Sequence, residues 1–331
     1  MKRLISVVTP CYNEELNVEE VAQRVRETFG AFPQYDYEHI FIDNASTDGT
    51  VAVLKRMAAL DSHVRVIVNA RNFGHLRSPM HAMLEASGDA TVLLFSDLQD
   101  PPELIGRFLE EWEKGVPVVL GIKNQSAENR IMFWLRTRYY RLLNRLAHIE
   151  SYENFTGFGL FDRSVMDIVR SFGDQYPYFR GMIAEIGLPH VRVFYAQGVR
   201  KRGVTKNNFY TLYDLAMLGV TNVSRVPHRL FTFFGFACSA LSVLFAVGYF
   251  VYKLLFWNRF SVGIAPVLIG LFFFASVQLA FIGVLSEYIA AIHSQVLKRP
   301  LVVERERVNF GREATNVQTK GGASDSASNT G

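Results

Sequence analysis

The chain carries little that could build a covalent or zinc-based scaffold. It has two cysteines in 331 residues, Cys11 at a strand end and Cys238 inside an apolar run. They are not placed to pair, which excludes a disulfide framework and agrees with a reducing compartment. His75 and His81 have no spacing that suggests zinc. The net charge of +4 is too small to argue for nucleic acid as a partner, although it suits a protein lying against anionic headgroups. No signal peptide opens the chain, since Met1-Lys2-Arg3 leads into a short apolar run and then Asn13-Glu14-Glu15.

Charge is also missing from two long stretches, Leu230 to Tyr252 and Phe260 to Ser286. At 1.5 Å per residue the first, 23 residues long, makes about 34 Å of helix, enough for a bilayer core of about 30 Å. Lys253 to Arg259 separates the two, so they are expected to form a transmembrane hairpin with Trp257 at the lipid interface. Arg225 and Arg229 precede it, and Lys298, Arg299, Arg305 and Arg307 follow. The positive-inside rule then places both ends in the cytoplasm. Two buried core helices are the alternative. Asn207 to Ser224 has apolar residues at helical spacing and suits an amphipathic helix in the interface, with packing on the soluble part as the rival. Beyond about Gly311 the chain lacks apolar periodicity and reads as a disordered tail.

The soluble part alternates β-branched runs with helix-length amphipathic segments. Strands are expected at Leu4 to Thr9, His39 to Ile42, Val64 to Val68, Thr91 to Phe95, Val118 to Gly121 and Val191 to Tyr195. Helices are expected near 15 to 29, 50 to 60, 76 to 87 and 102 to 114, with a long basic helix from Glu128 to His148. That alternation predicts an α/β fold with a largely parallel, doubly wound sheet.

Three strand ends carry polar clusters that such a sheet brings to one edge. They are Thr9-Pro10-Cys11-Tyr12-Asn13-Glu14, Asp43-Asn44-Ala45-Ser46-Thr47-Asp48-Gly49, and Ser96 to Glu103 in TVLLFSDLQDPPE. A carboxylate after an early strand typically grips a nucleoside, which points to Asp43 and Asp48, while Ser46 and Thr47 suit a helix cap. Asp97 and Gln99 offer oxygen ligands of the kind that suit Mg²⁺ or Mn²⁺. Asp100-Pro101-Pro102-Glu103 has the form of a capping box, which would make those two acids structural.

The segments TPCYNEE, DNASTDGT, ARNFGH, SDLQDPPE, YPYFRG and LSEYIAAIHSQVLKRP resemble the family 2 glycosyltransferases that load a sugar onto polyprenyl phosphate, the GtrB-like and dolichyl-phosphate mannose synthase-like group. The resemblance covers roughly residues 3 to 303. It implies a GT-A catalytic domain over 1–206, an interfacial helix over 207–227, a membrane hairpin over 228–292 with spans near 230–252 and 262–286, a cytoplasmic segment over 293–311 and a tail over 312–331. The nucleotide sugar, UDP-linked by expectation, would meet Pro10, Tyr12, Asn13, Glu14, Asp43, Asp48, Asn72, Ser96 and Asp97. Asp97 and Gln99 would hold the divalent ion. The group's pattern ends its strand D-x-D-x-Q, and Phe95 stands here in place of the first acid. A bacterial inner-membrane location, catalytic domain in the cytoplasm, and a homo-oligomer, a tetramer, are also implied.

An acceptor phosphate is anionic near neutral pH, so displacement at the sugar C1 needs no general base. Asn154 to Gly159 offers no carboxylate where relatives that glycosylate a hydroxyl carry one. Such a reaction needs cations for two phosphates. Lys123, Arg130, Arg136 and Arg138 supply cations on one side of the site and Arg200, Arg202 and Lys206 on the other, with Asp97, Arg130, Arg136, Arg200 and Arg202 expected to be catalytic; lipid headgroups on the basic helix face are the alternative for its arginines. Arg138, Arg200, Arg202 and Lys206 are expected at the acceptor phosphate. Arg180 could equally be a structural ion pair. Two rivals stand beside this reading. One is a synthase extending a glycan on a hydroxyl, against which stand the absent carboxylate and the lack of a Q-x-x-R-W run. The other is a catalytically weak nucleotide-binding membrane scaffold, motivated by Phe95.

Overall fold

β1 (Arg3–Cys11) is apolar on both faces because it lies in the middle of a sheet covered on both sides: Val7 and Val8 point opposite ways and both are fully buried. The computed structural model describes residues 2–125, 152, 154–196, 226–256, 264–297 and 299–310. Within them the chain continues as α1 (Val18–Gly30), β2 (Tyr35–Asp43), α2 (Thr50–Leu60), β3 (Val64–Asn69), α3 (Gly74–Glu85), β4 (Ala90–Leu93), α4 (Leu104–Glu113) and β5 (Val118–Gln125). It goes on through β6 (Phe155–Asp162), α5 (Arg163–Phe172), α6 (Phe179–Ile186), β7 (His190–Ala196), α7 (Val226–Leu255), α8 (Ile264–Val296) and β8 (Glu304–Val308).

The eight strands form one sheet in the order β7-β5-β6-β4-β1-β2-β3-β8. β1 pairs in parallel with β2 and β4, β2 with β3, and β5 with β7, whereas β6 runs antiparallel to β4 and β5, and β8 antiparallel to β3. All strands but β6 and β8 therefore point the same way, as the alternating pattern requires. α1, α2 and α4 cover one face through Val25, Leu54 and Phe108, and α3, α5 and α6 cover the other through Met83, Val165 and Ile183.

β6 and β8 were not expected. β6 (FTGFGLFD) hides behind two glycines, and at Gly159 a Cβ would lie 2.4 Å from the Val119 carbonyl oxygen, so the close approach to β5 needs glycine. β8 (ERERV) alternates charge with charge, as an edge strand can, and lacks the apolar signal of the others. α5 is capped by Asp162, which accepts from Ser164 N at 2.9 Å, and ends at Gly173 in the left-handed region.

α7 and α8 have 30 and 33 residues. Phe234 and Gly235 of α7 pack on Phe281 of α8. Elsewhere the pair exposes Phe236, Leu244, Phe245, Leu271 and Leu279. Among the described residues one helix, α8, contains a window long and apolar enough to cross a membrane, Phe273–Ala290, and none of that window is buried. The first span of the expected hairpin, 230–252 in α7, does not meet that test, and the second, 262–286 in α8, does. The expected helices over 128–148 and 207–224, Trp257 and the tail lie outside the described residues.

Candidate active site at the carboxyl edge of the sheet

Left-handed backbone marks one edge of the sheet. Of the five non-glycine residues with positive φ among those described, Asn13 (56°) follows β1, Ala45 (61°) follows β2, Leu98 (57°) follows β4, and Asn154 (60°) precedes the antiparallel β6. All four lie where the parallel strands end. Such conformations cost about 1–2 kcal/mol each for non-glycine residues and gather where function over-determines the backbone.

The first two loops are cross-braced. Asn13 N donates to Ser46 Oγ at 2.8 Å, Thr47 N to Asn13 Oδ1 at 2.8 Å, Glu14 N to Thr50 Oγ1 at 2.9 Å, and Gly49 N to Glu15 Oε2 at 2.7 Å. Ser46 and Thr47 therefore serve the loop pair and do not cap α2. Asp48 takes that place, accepting from Thr50 N at 3.0 Å and Thr50 Oγ1 at 2.5 Å. Burial opposes its charge, but the bonds from Thr50 and Glu15 hold its carboxyl below the usual range.

Asp43 is different. It is fully buried, its Oδ2 accepts from Ser46 N at 2.9 Å, and its Oδ1 is buried with no hydrogen-bond partner. Burial pushes its carboxyl up, against the Ser46 and Ala45 bonds. A buried oxygen left unsatisfied costs about 1–3 kcal/mol, so an N–H or O–H donor on a ligand would be rewarded there. Burial and Asp43 together push the Cys11 thiol well up, so Cys11 is a small apolar residue.

Several expected contact residues are held by internal bonds. Ser96 Oγ donates to the Pro10 carbonyl at 3.0 Å, joining the β1 and β4 loops. Asn72 Oδ1 accepts from Asn44 Nδ2 at 2.9 Å and Gly74 N at 2.8 Å, shaping the turn into α3. Glu14 accepts from Asn17 Nδ2 at 2.6 Å at the start of α1. Tyr12 is half-buried beside them.

After β4, Asp97 Oδ1 accepts from Gln99 N at 3.1 Å, across the left-handed Leu98. The capping box is not formed. Asp100 is 2% exposed, accepts from Tyr195 Oη of β7, and pairs with Lys123 of β5 at 3.4 Å. Burial pushes Asp100 up, Lys123 and Tyr195 oppose that, and burial beside Asp100 pushes Tyr195 well up. Glu103 instead accepts two 2.7 Å bonds from Arg24 of α1. Both acids are structural, through partners far away in sequence that the local pattern could not reveal. Lys123 is thereby engaged.

Among the described residues there is no group of three or more His, Cys, Asp or Glu side chains placed to hold a metal. Asp97 still offers a carboxylate, one oxygen of which accepts from Gln99 N, with Gln99 two residues on. Two oxygens fit an ion that takes its other ligands from water and phosphate, and do not fit a self-sufficient protein cage. Phe95 lines a cavity of about 210 Å³ together with residues of α3, β6 and α6. Arg180 is half-buried, donates to the Phe155 carbonyl at 3.3 Å and lies over the Tyr178 ring, and no carboxylate pairs with it among the described residues. His81 pairs with Glu304 of β8. Arg130, Arg136, Arg138, Arg200, Arg202 and Lys206 lie outside the described residues.

Residues 6–169 match the family described as glycosyl transferase family 2. An uncharacterized glycosyltransferase of Bacillus subtilis (strain 168) is 31% identical over 90% of this chain and 92% of its own. A prophage-derived bactoprenol glucosyl transferase of Shigella flexneri is 31% identical over 89% of this chain and 96% of its own. Among solved structures, the glucosyl-3-phosphoglycerate synthase of Mycobacterium tuberculosis has a TM-score of 0.49 at 16% identity, over 67% of this chain and 80% of that one.

Proposed function

Since the chain belongs to glycosyl transferase family 2, we propose that it moves a sugar from a nucleoside diphosphate, UDP in the first instance, to a polyprenyl phosphate at a membrane. The observation that carries this reading is where α8 ends. Gln295, in its last turn, accepts from Gln175 N at 3.2 Å and donates to Asp174, and Arg77 of α3 donates to the Pro300 carbonyl at 2.7 Å. The exposed apolar helices thus join the sheet beside the edge that holds the site, which is where a lipid phosphate must arrive.

In the proposed reaction an acceptor phosphate oxygen attacks the sugar C1 as the bond from C1 to the nucleoside diphosphate breaks, inverting C1. No proton has to be removed from the acceptor. Asp43 Oδ1 accepts from the base or ribose of the donor, and the cross-braced loops fix its position. Asp97 and Gln99 hold Mg²⁺ or Mn²⁺, which would neutralise charge on the diphosphate when bound. Arg130 and Arg136 attend the leaving group, and Arg138, Arg200, Arg202 and Lys206 the acceptor phosphate. α7 and α8 lie in the bilayer as a hairpin, at the inner membrane of a bacterium, with the sheet on the cytoplasmic face.

Membranes carrying the protein, supplied with undecaprenyl phosphate and a panel of labelled nucleotide sugars, should yield a lipid of the mass of glycosyl-phosphoryl-undecaprenol. Label appearing only on hydroxyl acceptors would overturn the reading.

A further inference from the structure

The residue that departs from the acid-rich pattern, Phe95, has a defined place: it walls the cavity of about 210 Å³ between β4, β6, α3 and α6. Met80, Met83 and Leu93 line it as buried side chains, together with Pro79 and Phe179. Its polar side chains are His75, Thr156, Tyr178 and Arg180. His75 is held neutral, its pKa lowered by burial and then by Arg180, so Arg180 supplies the positive charge. At about 30 Å³ per water-sized group, the volume accepts at least the five carbons of an isoprene unit. A sugar ring would leave most of its hydroxyls against apolar walls.

The cavity is lined by close sequence neighbours of the residues that bond the end of α8 and Pro300. Asp174 and Gln175, bonded to Gln295, precede its residues Pro177 and Tyr178 with one residue between, and Arg77, bonded to Pro300, sits between its residues Leu76 and Pro79. An apolar pocket with one cation unmatched by any described carboxylate complements an amphiphile with an anionic head.

We propose that this cavity is the subsite for the phosphate-proximal isoprene of the acceptor, with Phe95 as its apolar wall and the Arg180 guanidinium on the acceptor phosphate. The proposal rests on the reading of the acceptor as a polyprenyl phosphate. It gives Phe95 a function that an acid could not perform, and it assigns specificity for an unsaturated, branched first unit to residues of the sheet domain.

The test is binding of geranyl phosphate, geraniol and inorganic phosphate to the purified full-length protein in detergent, by calorimetry, with UDP binding measured on every variant as the check on folding. Geranyl phosphate should bind the wild-type protein more tightly than either fragment. Phe95→Asp should weaken it about tenfold or more, Phe95→Leu by threefold at most, and Arg180→Gln about tenfold while leaving geraniol unchanged. Equal binding of geranyl phosphate to all four proteins overturns the subsite and leaves the proposed function standing. Failure of the wild-type protein to bind either geranyl or undecaprenyl phosphate, with UDP still bound, overturns the proposed function and the subsite with it.

Discussion

Ala45 shows what the edge of the sheet demands of single residues. Its φ of 61° is one that glycine adopts freely and alanine does not. Ala45→Gly should therefore stabilise the protein by roughly 0.5–1 kcal/mol, the relief of strain exceeding the added freedom of the unfolded chain. Thermal unfolding would register this as a raised midpoint, and an unchanged or lowered one would count against strain at this position. Asp43→Ala should weaken UDP binding about tenfold to a hundredfold, because it removes the buried acceptor Oδ1, and calorimetry reads this directly. Asp97→Ala should abolish transfer and remove any response of UDP binding to Mn²⁺; a response that survives would move the ion elsewhere. The position of Asp97 after β4 was legible in sequence because an apolar strand ending in an acid has a local signature. Asp100 was not, since Tyr195 and Lys123 reach it from β7 and β5, and a capping box is judged on four consecutive residues.

Among the elements, the parallel strands announced themselves by β-branched runs, and β8 did not, because its stability comes from partners and not from apolar burial. Lys55 pairs with Glu306 at 2.6 Å, Arg307 with Glu85 at 2.7 Å, His81 with Glu304, and Asn309 Nδ2 donates to the Ala58 and Val64 carbonyls. Burial would raise the Glu304 carboxyl, but His81 and Arg307 outweigh it and lower its pKa from 4.5 to about 2. A carboxyl depressed in the folded state adds stability above its unfolded value that disappears as pH falls through the folded one. Glu304→Gln should thus cost about 1–2 kcal/mol at pH 7, discounted for solvent access, and the gap to the wild-type protein should close between pH 4.5 and 2. Parallel unfolding curves at pH 7 and pH 3 test it; a gap that stays constant would mean that Glu304 acts through shape alone.

At the scale of the molecule, the pairing of β8 with β3 constrains topology. Strands β1 to β7 and β8 share one sheet, so they occupy one side of any membrane, and the chain between β7 and β8 must cross it an even number of times. A single span by α8 alone is incompatible with that sheet, although among the described residues α8 alone has a window that qualifies by composition. Cysteines introduced singly at Lys2 and Arg305 should react with an impermeant maleimide in inside-out vesicles only, and one at Trp257 in right-side-out cells only. Labelling of Trp257 from the same side as the others would remove the hairpin from the membrane.

The closing strand also sets an order of events during synthesis. β3 ends at Asn69 and its partner begins at Glu304, with both long helices made in between. At about 5–20 residues per second, tens of seconds pass before β8 can dock, and for that time the β3 edge stands open to strands of other chains. Since β8 follows α7 and α8 in the chain, the last strand closes the sheet only after both long helices have been made, and it shields an edge that would otherwise pair with another chain.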